Sequence, residues 1–538
     1  MGEWAIGAVL DAIADVIPDR TMTVCGDRRS TFGESADRTR RLANFLAGKG
    51  LGAHHERDSL QRWECGQDRV ALIMHNDLYP DMVVGSLKAR TVPVNVNYHY
   101  TPREIRELLS YLEPSAVIFH RSLGAKYADV LPPPSAGLLV SVDDGSAASE
   151  LPGAVPLDTA LAQGDDDVDV TPSPDDLLMI CTGGTTGRPK GVLWRQSDIY
   201  VSSMVGRDHD SVHEIRDSVG EAGAPWFAVS PLMHAAGMWT AFSAILHGIP
   251  VVMYDTGRKL DARVVWETAA REKVGMMTMV GDAYAAPLVE ELQRGAYDLP
   301  SLYAIGTGGA TTNPVYQRAL LDSLPQLTLI NGYGSSETGN MGFGHSRRGN
   351  QTDTFTLREG GLVLSEDYSR FVEPGEPEIG WVAREGRIPL GYFNDADATR
   401  RTFPEVAGRR VVISGDRASV EQDGTLRLLG RDSLVVNTGG EKVFVEEVEE
   451  VLRAHPAVAD CLVVGRPSER WGEELVALVA LRDGAAVGHD ALHELCTAQL
   501  ARFKAPKEFI VVDHVHRLGN GKADYRWAKS QAAERAMT

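Results

Sequence analysis

The chain has 538 residues and a formal net charge of −20, from 54 Lys+Arg against 74 Asp+Glu. Hydrophobic residues make up 43% and charged residues 24%, an ordinary globular balance at a length beyond one domain of usual size. The acidic total excludes a chain built chiefly to hold a nucleic-acid polymer, which needs a basic footprint. It leaves room for a local basic site that takes a small anion.

The opening stretch, Met1–Arg20, sets Glu3, Asp11 and Asp15 within an apolar pattern. It reads as an amphipathic helix rather than a signal peptide, which wants a positive start and an unbroken apolar run. No window carries the ~18 apolar residues that a membrane span needs. Cys25, Cys65, Cys181, Cys461 and Cys496 lie far apart, with no CxxC pair. That argues against a disulfide framework or structural zinc and fits a cytoplasmic protein.

Short apolar runs then alternate with helical patterns, as in α/β architecture. Buried strands are expected at Val70–Met74, Ala116–Phe119, Leu177–Cys181, Phe227–Ser230, Ile249–Tyr254, Val274–Val280, Leu302–Ile305 and Thr328–Ile330. Helices are expected at Pro102–Leu112, Ala262–Glu272 (capped by Asp261) and Asp282–Arg294. His54–Gln67 reads as a polar insertion, and Leu131–Asp176 as a surface loop. Val411–Gly430 reads as antiparallel strands turning at Asp423-Gly424. Beyond it come a Glu-rich helix around Glu446–Glu450, strands at Val458–Val464 and Leu475–Leu481, a helix at Asp490–Phe503 and a strand at Phe509–Asp513. That is a compact α+β unit near the usual domain size.

The sharpest local signal is Thr182-Gly183-Gly184-Thr185-Thr186-Gly187-Arg188-Pro189-Lys190-Gly191. It follows a buried strand and precedes a helical pattern. Its glycines let the backbone bend closely around an anion. Its threonine hydroxyls and Lys190 supply donors and charge, the ingredients of a phosphate-gripping loop. It is not a Walker A loop, because Lys190 precedes Gly191 instead of following the last glycine. The full string resembles the phosphate loop of the acyl-adenylate-forming superfamily, which holds acyl-CoA synthetases, adenylation domains of peptide synthetases and firefly luciferase. Gly183 stands where the family usually has Ser.

Further motifs of that family follow in order. Pro231-Leu232-Met233-His234 resembles the segment bordering the acyl pocket. Gly306-Thr307-Gly308-Gly309-Ala310 resembles the turn beside adenine and acyl group. Gly332-Tyr333-Gly334-Ser335-Ser336-Glu337-Thr338 resembles the segment in which Tyr packs on adenine and Glu holds Mg²⁺. Ser414-Gly415-Asp416 resembles the ribose-binding motif, with Arg431 also near the ribose. Asp432 and Ser433 occupy the hinge region, and Ser433 stands where the family has Asp or Lys. Asn437-Thr438-Gly439-Gly440-Glu441-Lys442 continues it. Gly519-Asn520-Gly521-Lys522 resembles the motif of the catalytic lysine, although His516 replaces a common Pro. Finer features are closest to actinobacterial fatty-acyl and steroid-side-chain CoA ligases.

The resemblance implies a large N-terminal α/β domain over 1–431, with mixed sheets, packed helices and a small β-barrel-like part. A small mobile α+β cap follows over 432–538. It implies an ATP-dependent acyl-CoA ligase acting on a bulky apolar acid through an acyl-adenylate, with ATP, Mg²⁺ and CoA. Lys522, Glu337, Thr185 and His234 would be catalytic, with Glu337 and Thr185 on the metal. Residues 182–187, Lys190, Gly309, Ala310, Asn331, 332–336, Asp416 and Arg431 would hold the nucleotide. Gly439, Gly440 and Lys442 would meet CoA, and His234, Trp239, Met279 and Gly308 the acyl group. The partners implied are small molecules, with no nucleic-acid polymer and a homodimer left open. Two alternatives share these motifs: an adenylating enzyme that loads a carrier protein, and an inactive nucleotide-binding homologue.

Overall fold

The computed structural model describes residues 2–164, 170–182, 190–257, 259–310, 312–431, 434–438, 441–468, 472–518 and 523–536. Two large sheets carry the first four-fifths of the chain. In the first, the strands lie in the order Gly391–Tyr392, Lys190–Arg195, Leu177–Thr182, Val92–Asn95, Arg69–Ile73, Ala116–His120, Leu138–Val142 and Val155–Pro156. All neighbours from Leu177–Thr182 onward run parallel. Val70, Ala71, Leu72 and Ile73 are all 0% exposed. This accounts for their unbroken apolar run, since a parallel sheet is covered on both faces.

The second sheet has a parallel centre: Thr21–Cys25, Val251–Met253, Trp226–Ala228, Met276–Met279, Ala304–Gly308 and Thr328–Ser335. It continues as antiparallel strands through Gly339–Ser346, Thr354–Leu357, Leu426–Arg431, Arg409–Val420, Gly380–Glu385 and Gly361–Leu364. The antiparallel part expected from the sequence is thus an extension of this sheet.

Helices cover the sheets and begin where the sequence supplies caps. Thr31 and Glu34 form a capping box for Phe32–Gly48, and Thr101 and Glu104 do so for Pro102–Leu112. Asp261 accepts from the backbone N–H groups of Arg263 and Val264, at 3.0 and 3.3 Å, as expected.

Three expectations change. The N-terminal helix, Ile6–Ala14, is buried nearly all round rather than amphipathic. Its Asp11 meets the Lys88 ammonium at 2.5 Å. Leu131–Asp176 is no plain loop: it holds strands Leu138–Val142 and Val155–Pro156 and helix Leu157–Gln163. The apolar core of that segment was masked by its Pro, Ser and Asp flanks. The helix expected over Asp490–Phe503 ends at Gln499, with a separate 3₁₀ turn at Arg502–Lys504.

The last hundred residues build a third sheet from Glu441–Phe444, Val435–Thr438, Gly472–Leu481 and Val458–Ser468, with Glu508–Val512 parallel to Gly472–Leu481. Helices Val445–Arg453, His489–Gln499 and Tyr525–Ala536 pack on it. The apolar clusters of this unit contain no residue before Leu434. All five cysteines are free. Among the described residues no helix is long and apolar enough to cross a membrane.

Candidate active site

The carboxyl ends of the two parallel sheets face each other, and side chains following the strands join them. Asn76, just beyond Arg69–Ile73, is 1% exposed. Its Oδ1 accepts from the Leu232 N–H at 2.7 Å, and its Nδ2 donates to the Tyr254 carbonyl at 3.0 Å. Asn95 closes Val92–Asn95 and works in the same way. Its Nδ2 donates to the Met233 carbonyl at 2.6 Å, and its Oδ1 accepts from the Cys181 N–H at 2.8 Å. Two buried amides thus fix Pro231–His234 against the end of the strand that leads to the Gly/Thr loop. Such crevices at strand carboxyl ends are where α/β folds bind ligands. Neither Asn carried a motif. The only signal available was an Asn at or just past the end of a largely apolar strand.

The Gly/Thr loop joins two antiparallel strands in register, Thr182 opposite Lys190. The segment directly after it is strand Lys190–Arg195, and the expected helical pattern follows as helix Gln196–Ser203. Gly183, Gly184, Thr185, Thr186 and Gly187 lie outside the described residues, as do Asp432, Ser433, Gly439, Gly440 and Lys522. Arg431 pairs by backbone with Asp416, and Lys442 with Asn437.

Past the loop, the Lys190 ammonium lies 4.8 Å from the centre of the Tyr392 ring and 3.9 Å from Asp395 Oδ2. The Tyr392 hydroxyl donates to Glu337 Oε1 at 3.1 Å. Burial, then the Glu337 charge, pushes the Tyr392 phenol up, so it stays a donor. Lys190, Tyr392 and Glu337 therefore form one cluster of a cation, a hydroxyl and a carboxylate.

Glu337 sits in a tight turn between strands Thr328–Ser335 and Gly339–Ser346. Its N–H donates to Ser335 Oγ at 3.2 Å. The Ser336 carbonyl accepts from the indole of Trp194, a fully buried side chain, at 2.9 Å. The Arg384 guanidinium, 4% exposed, donates to the Thr338 and Asn340 carbonyls at 2.8 and 3.0 Å. Burial pulls its pKa down to about 10. A Cβ on Gly334 would stand 2.1 Å from the Gly339 carbonyl oxygen, so only glycine fits beneath this turn.

Tyr333 and Asp416 meet from different strands. The Tyr333 hydroxyl donates to Asp416 Oδ2 at 2.6 Å, and the ring lies 5.6 Å from that of Phe355. Asp416 is 7% exposed.

Strand ends also bring the 308–310 turn to the helix that His234 opens. Gly308 pairs with Gly332, and a Cβ there would approach the Gly332 oxygen to 3.0 Å. Gly309 has φ +77°, and its open side faces Val280 and Ala236 at 3.7 and 3.9 Å. His234 is half-buried in extended backbone just before helix Ala235–Ile245. Trp239 on that helix is 7% exposed, and its Nε1 has no protein partner among the described residues. Met279 packs with Met277 in the second core cluster, while Met276 and Thr278 take the other, half-buried face of their strand.

Comparison with known proteins gives the family. A family model described as "AMP-binding enzyme" matches residues 10–372, and one described as "AMP-binding enzyme C-terminal domain" matches 447–522. The chain is 42% identical over 544 residues to the medium-chain acyl-CoA ligase Mig of Mycobacterium avium, covering 98% of each. It is 35% identical to the 3-oxocholest-4-en-26-oate–CoA ligase of Rhodococcus rhodochrous, covering 98% of this chain and 96% of that one. The fold is similar to that of o-succinylbenzoate CoA synthetase from Bacillus subtilis in complex with its acyl-adenylate intermediate. The TM-score is 0.76 at 21% identity, covering 99% of this chain and 98% of that one. ATP-bound MatB from Rhodopseudomonas palustris gives a TM-score of 0.79 at 20% identity, with 98% of each covered. Family models over both parts of the chain and relatives of matching length lead to one conclusion: this chain belongs to the AMP-binding enzyme family.

Proposed function

We propose that the protein is an ATP-dependent carboxylic acid–CoA ligase acting in two steps. The carboxylate oxygen attacks the α-phosphorus of ATP, pyrophosphate leaves, and an acyl-adenylate forms. The CoA thiol then attacks the adenylate carbonyl, and AMP leaves. Carrying this reading is the convergence, at facing sheet ends, of the Tyr333–Asp416 pair, the Lys190–Tyr392–Glu337 cluster and the 231–234 and 308–310 segments.

Two anions must meet in the first step, so catalysis is positioning and charge neutralisation. Asp416 can accept from both ribose hydroxyls, with Tyr333 fixing the carboxylate and offering its ring to adenine. Lys190, over the Tyr392 ring, has a long ion pair with Asp395, 3.9 Å apart, which a phosphate can replace. Glu337 binds Tyr392 through Oε1, and its carboxylate is a hard oxygen donor suited to Mg²⁺. With Thr185, it would hold the ion that neutralises the triphosphate. Lys522 would neutralise the attacking carboxylate and the α-phosphate. Gly439, Gly440 and Lys442 would meet CoA after the cap, residues 432–538, turns about Asp432 and Ser433.

The acid is bulky and apolar, bordered by His234, Trp239, Met279 and Gly308. The relatives named for medium-chain and steroid-side-chain acids support this substrate class.

Carboxylate-dependent exchange of pyrophosphate into ATP, measured over a panel of acids, tests the first step. Lys522→Ala should abolish that exchange yet spare thioester formation from supplied acyl-AMP. Equal loss of both half-reactions removes Lys522 from the role. Adenylate formation without AMP release by free CoA would favour a carrier-protein acceptor.

A further inference from the structure

Beyond the strands that lead to the nucleotide, the same two sheet ends enclose a second group of polar side chains that the reaction above does not use. His120 ends strand Ala116–His120, and His75 and Tyr98 follow Arg69–Ile73 and Val92–Asn95. The rings touch one another. His75 and His120 stack at 5.5 Å and 19°, and His75 meets Tyr98 edge-on at 4.7 Å. From the loop after Val251–Met253, Gly257 comes close enough that a Cβ added to it would stand 3.7 Å from the His75 ring, and Thr256 accepts from the Asn76 N–H at 3.2 Å. Asn76 also holds Leu232 and Tyr254, so this group adjoins the segment that borders the candidate acyl pocket.

The cluster is buried at His120 and Tyr98, half-buried at His75, and incompletely paired. His120 is 0% and Tyr98 3% exposed. The His75 N–H donates to His120 Nδ1 at 2.9 Å. That bond settles the tautomer: neutral His120 carries its proton on Nε2. Burial holds the imidazole neutral, with a pKa pulled down to about 3. His120 Nε2 and His75 Nδ1 have no protein partner among the described residues. The Tyr98 hydroxyl, beside Thr256, completes no hydrogen bond of ordinary geometry. Ser141 on the next strand, 1% exposed, also has an unpartnered Oγ. Buried donors of this kind are costly unless something accepts from them. Such convergent polar groups at the end of an apolar pocket are what fix a ligand's orientation.

We propose that His75, Tyr98 and His120 form a polar terminus of the acyl crevice that receives an oxygen atom, a ketone or hydroxyl, at the end of the substrate remote from its carboxylate. A ketone oxygen has two lone pairs and can accept from both His120 Nε2–H and the Tyr98 hydroxyl. The preferred acids are then apolar in the middle and oxygenated at the far end, and plain alkyl acids leave these donors unpaired. This inference rests on the acyl-CoA ligase reading.

The test uses the full-length enzyme with alkanoic acids of eight to fourteen carbons and the matched acids carrying a ketone on the penultimate carbon. Acyl-CoA and AMP are both measured. At the chain length that reaches the cluster, the oxo acid should exceed its alkyl partner in kcat/KM by tenfold or more, mainly through KM. Tyr98→Phe, which keeps the ring, and His120→Asn, which keeps an acceptor for the His75 N–H, should each erase most of that ratio. A loss that falls equally on oxo and alkyl acids would assign the residues to packing. Absence of an oxo preference at every length would overturn the inference while leaving the ligase reading intact. So would a crystal structure with ordered water alone on these donors and an oxo-acyl adenylate directed elsewhere. No thioester from any acid would overturn the ligase reading itself and the inference with it.

Discussion

The bond from Tyr333 to Asp416 offers a quantitative test of how the nucleotide side is organised. At 2.6 Å, between a phenol and a carboxylate that is 7% exposed, it is a short bond to a charged acceptor. Bonds of that class contribute about 1.5–3 kcal/mol. Phe at position 333 keeps the ring against Phe355 and removes only the hydroxyl. If Tyr333 serves to hold Asp416 for the ribose, Tyr333→Phe should weaken AMP binding by about tenfold, or ~1.4 kcal/mol. The same change in an Asp416→Ala background should cost less than threefold, because nothing remains to be held. The coupling in this double-mutant cycle is then ~0.7 kcal/mol or more, within the range for contacting residues. Isothermal calorimetry of AMP binding by the four proteins, at one salt concentration, reads it directly. An identical loss from Tyr333→Phe in both backgrounds would refute the reasoning and leave Tyr333 acting through its ring alone.

Other outcomes follow from the turn and from a carboxylate remote from it. Trp194→Phe removes the indole donor to Ser336 and part of a buried ring. It should cost ~2–4 kcal/mol in thermal or chemical stability, and a variant as stable as the parent would argue against it. Gly334→Ala forces a Cβ to within 2.1 Å of the Gly339 oxygen. It should abolish pyrophosphate exchange by displacing Glu337, and retained exchange would show that the turn can relax. Asp77 is pushed up to about 6 by burial, against the pull of Arg28 and with Asp81 adding to the rise. The folded state then holds this proton longer than the unfolded one, so the contribution to stability falls as pH rises from about 4 through 6. Asp77→Asn should thus match the parent near pH 4 and exceed it by ~1–3 kcal/mol at pH 7. A stability difference independent of pH would show that Arg28 governs this carboxylate.

Alternating apolar runs placed most strands of the parallel sheets, because a strand buried on both faces needs an unbroken apolar stretch wherever it sits. Where that stretch was flanked by Pro, Ser and Asp, as at Leu138–Val142, composition hid it. Ordered short motifs identified the family, since gripping a phosphate or a ribose demands particular residues in local order. Those requirements are local, and one chain suffices to show them.

What the residues do to one another was decided in three dimensions. Tyr333 lies 83 positions from Asp416, Glu337 55 from Tyr392, and Trp194 142 from Ser336. No periodicity links such pairs; sheet order does, by setting chain-distant strands side by side. The same pairing set strand Lys190–Arg195 between the loop and helix Gln196–Ser203, because the edge of Leu177–Thr182 offered it a full ladder of hydrogen bonds. It also brought Asn76 and Asn95 to the Pro231–His234 segment and gathered His75, Tyr98 and His120. The sequence by itself determined which chemistry the chain carries. The packing of two sheets end to end decided which side chains share it, because burial and hydrogen-bond satisfaction are properties of the assembled neighbours and not of any one segment.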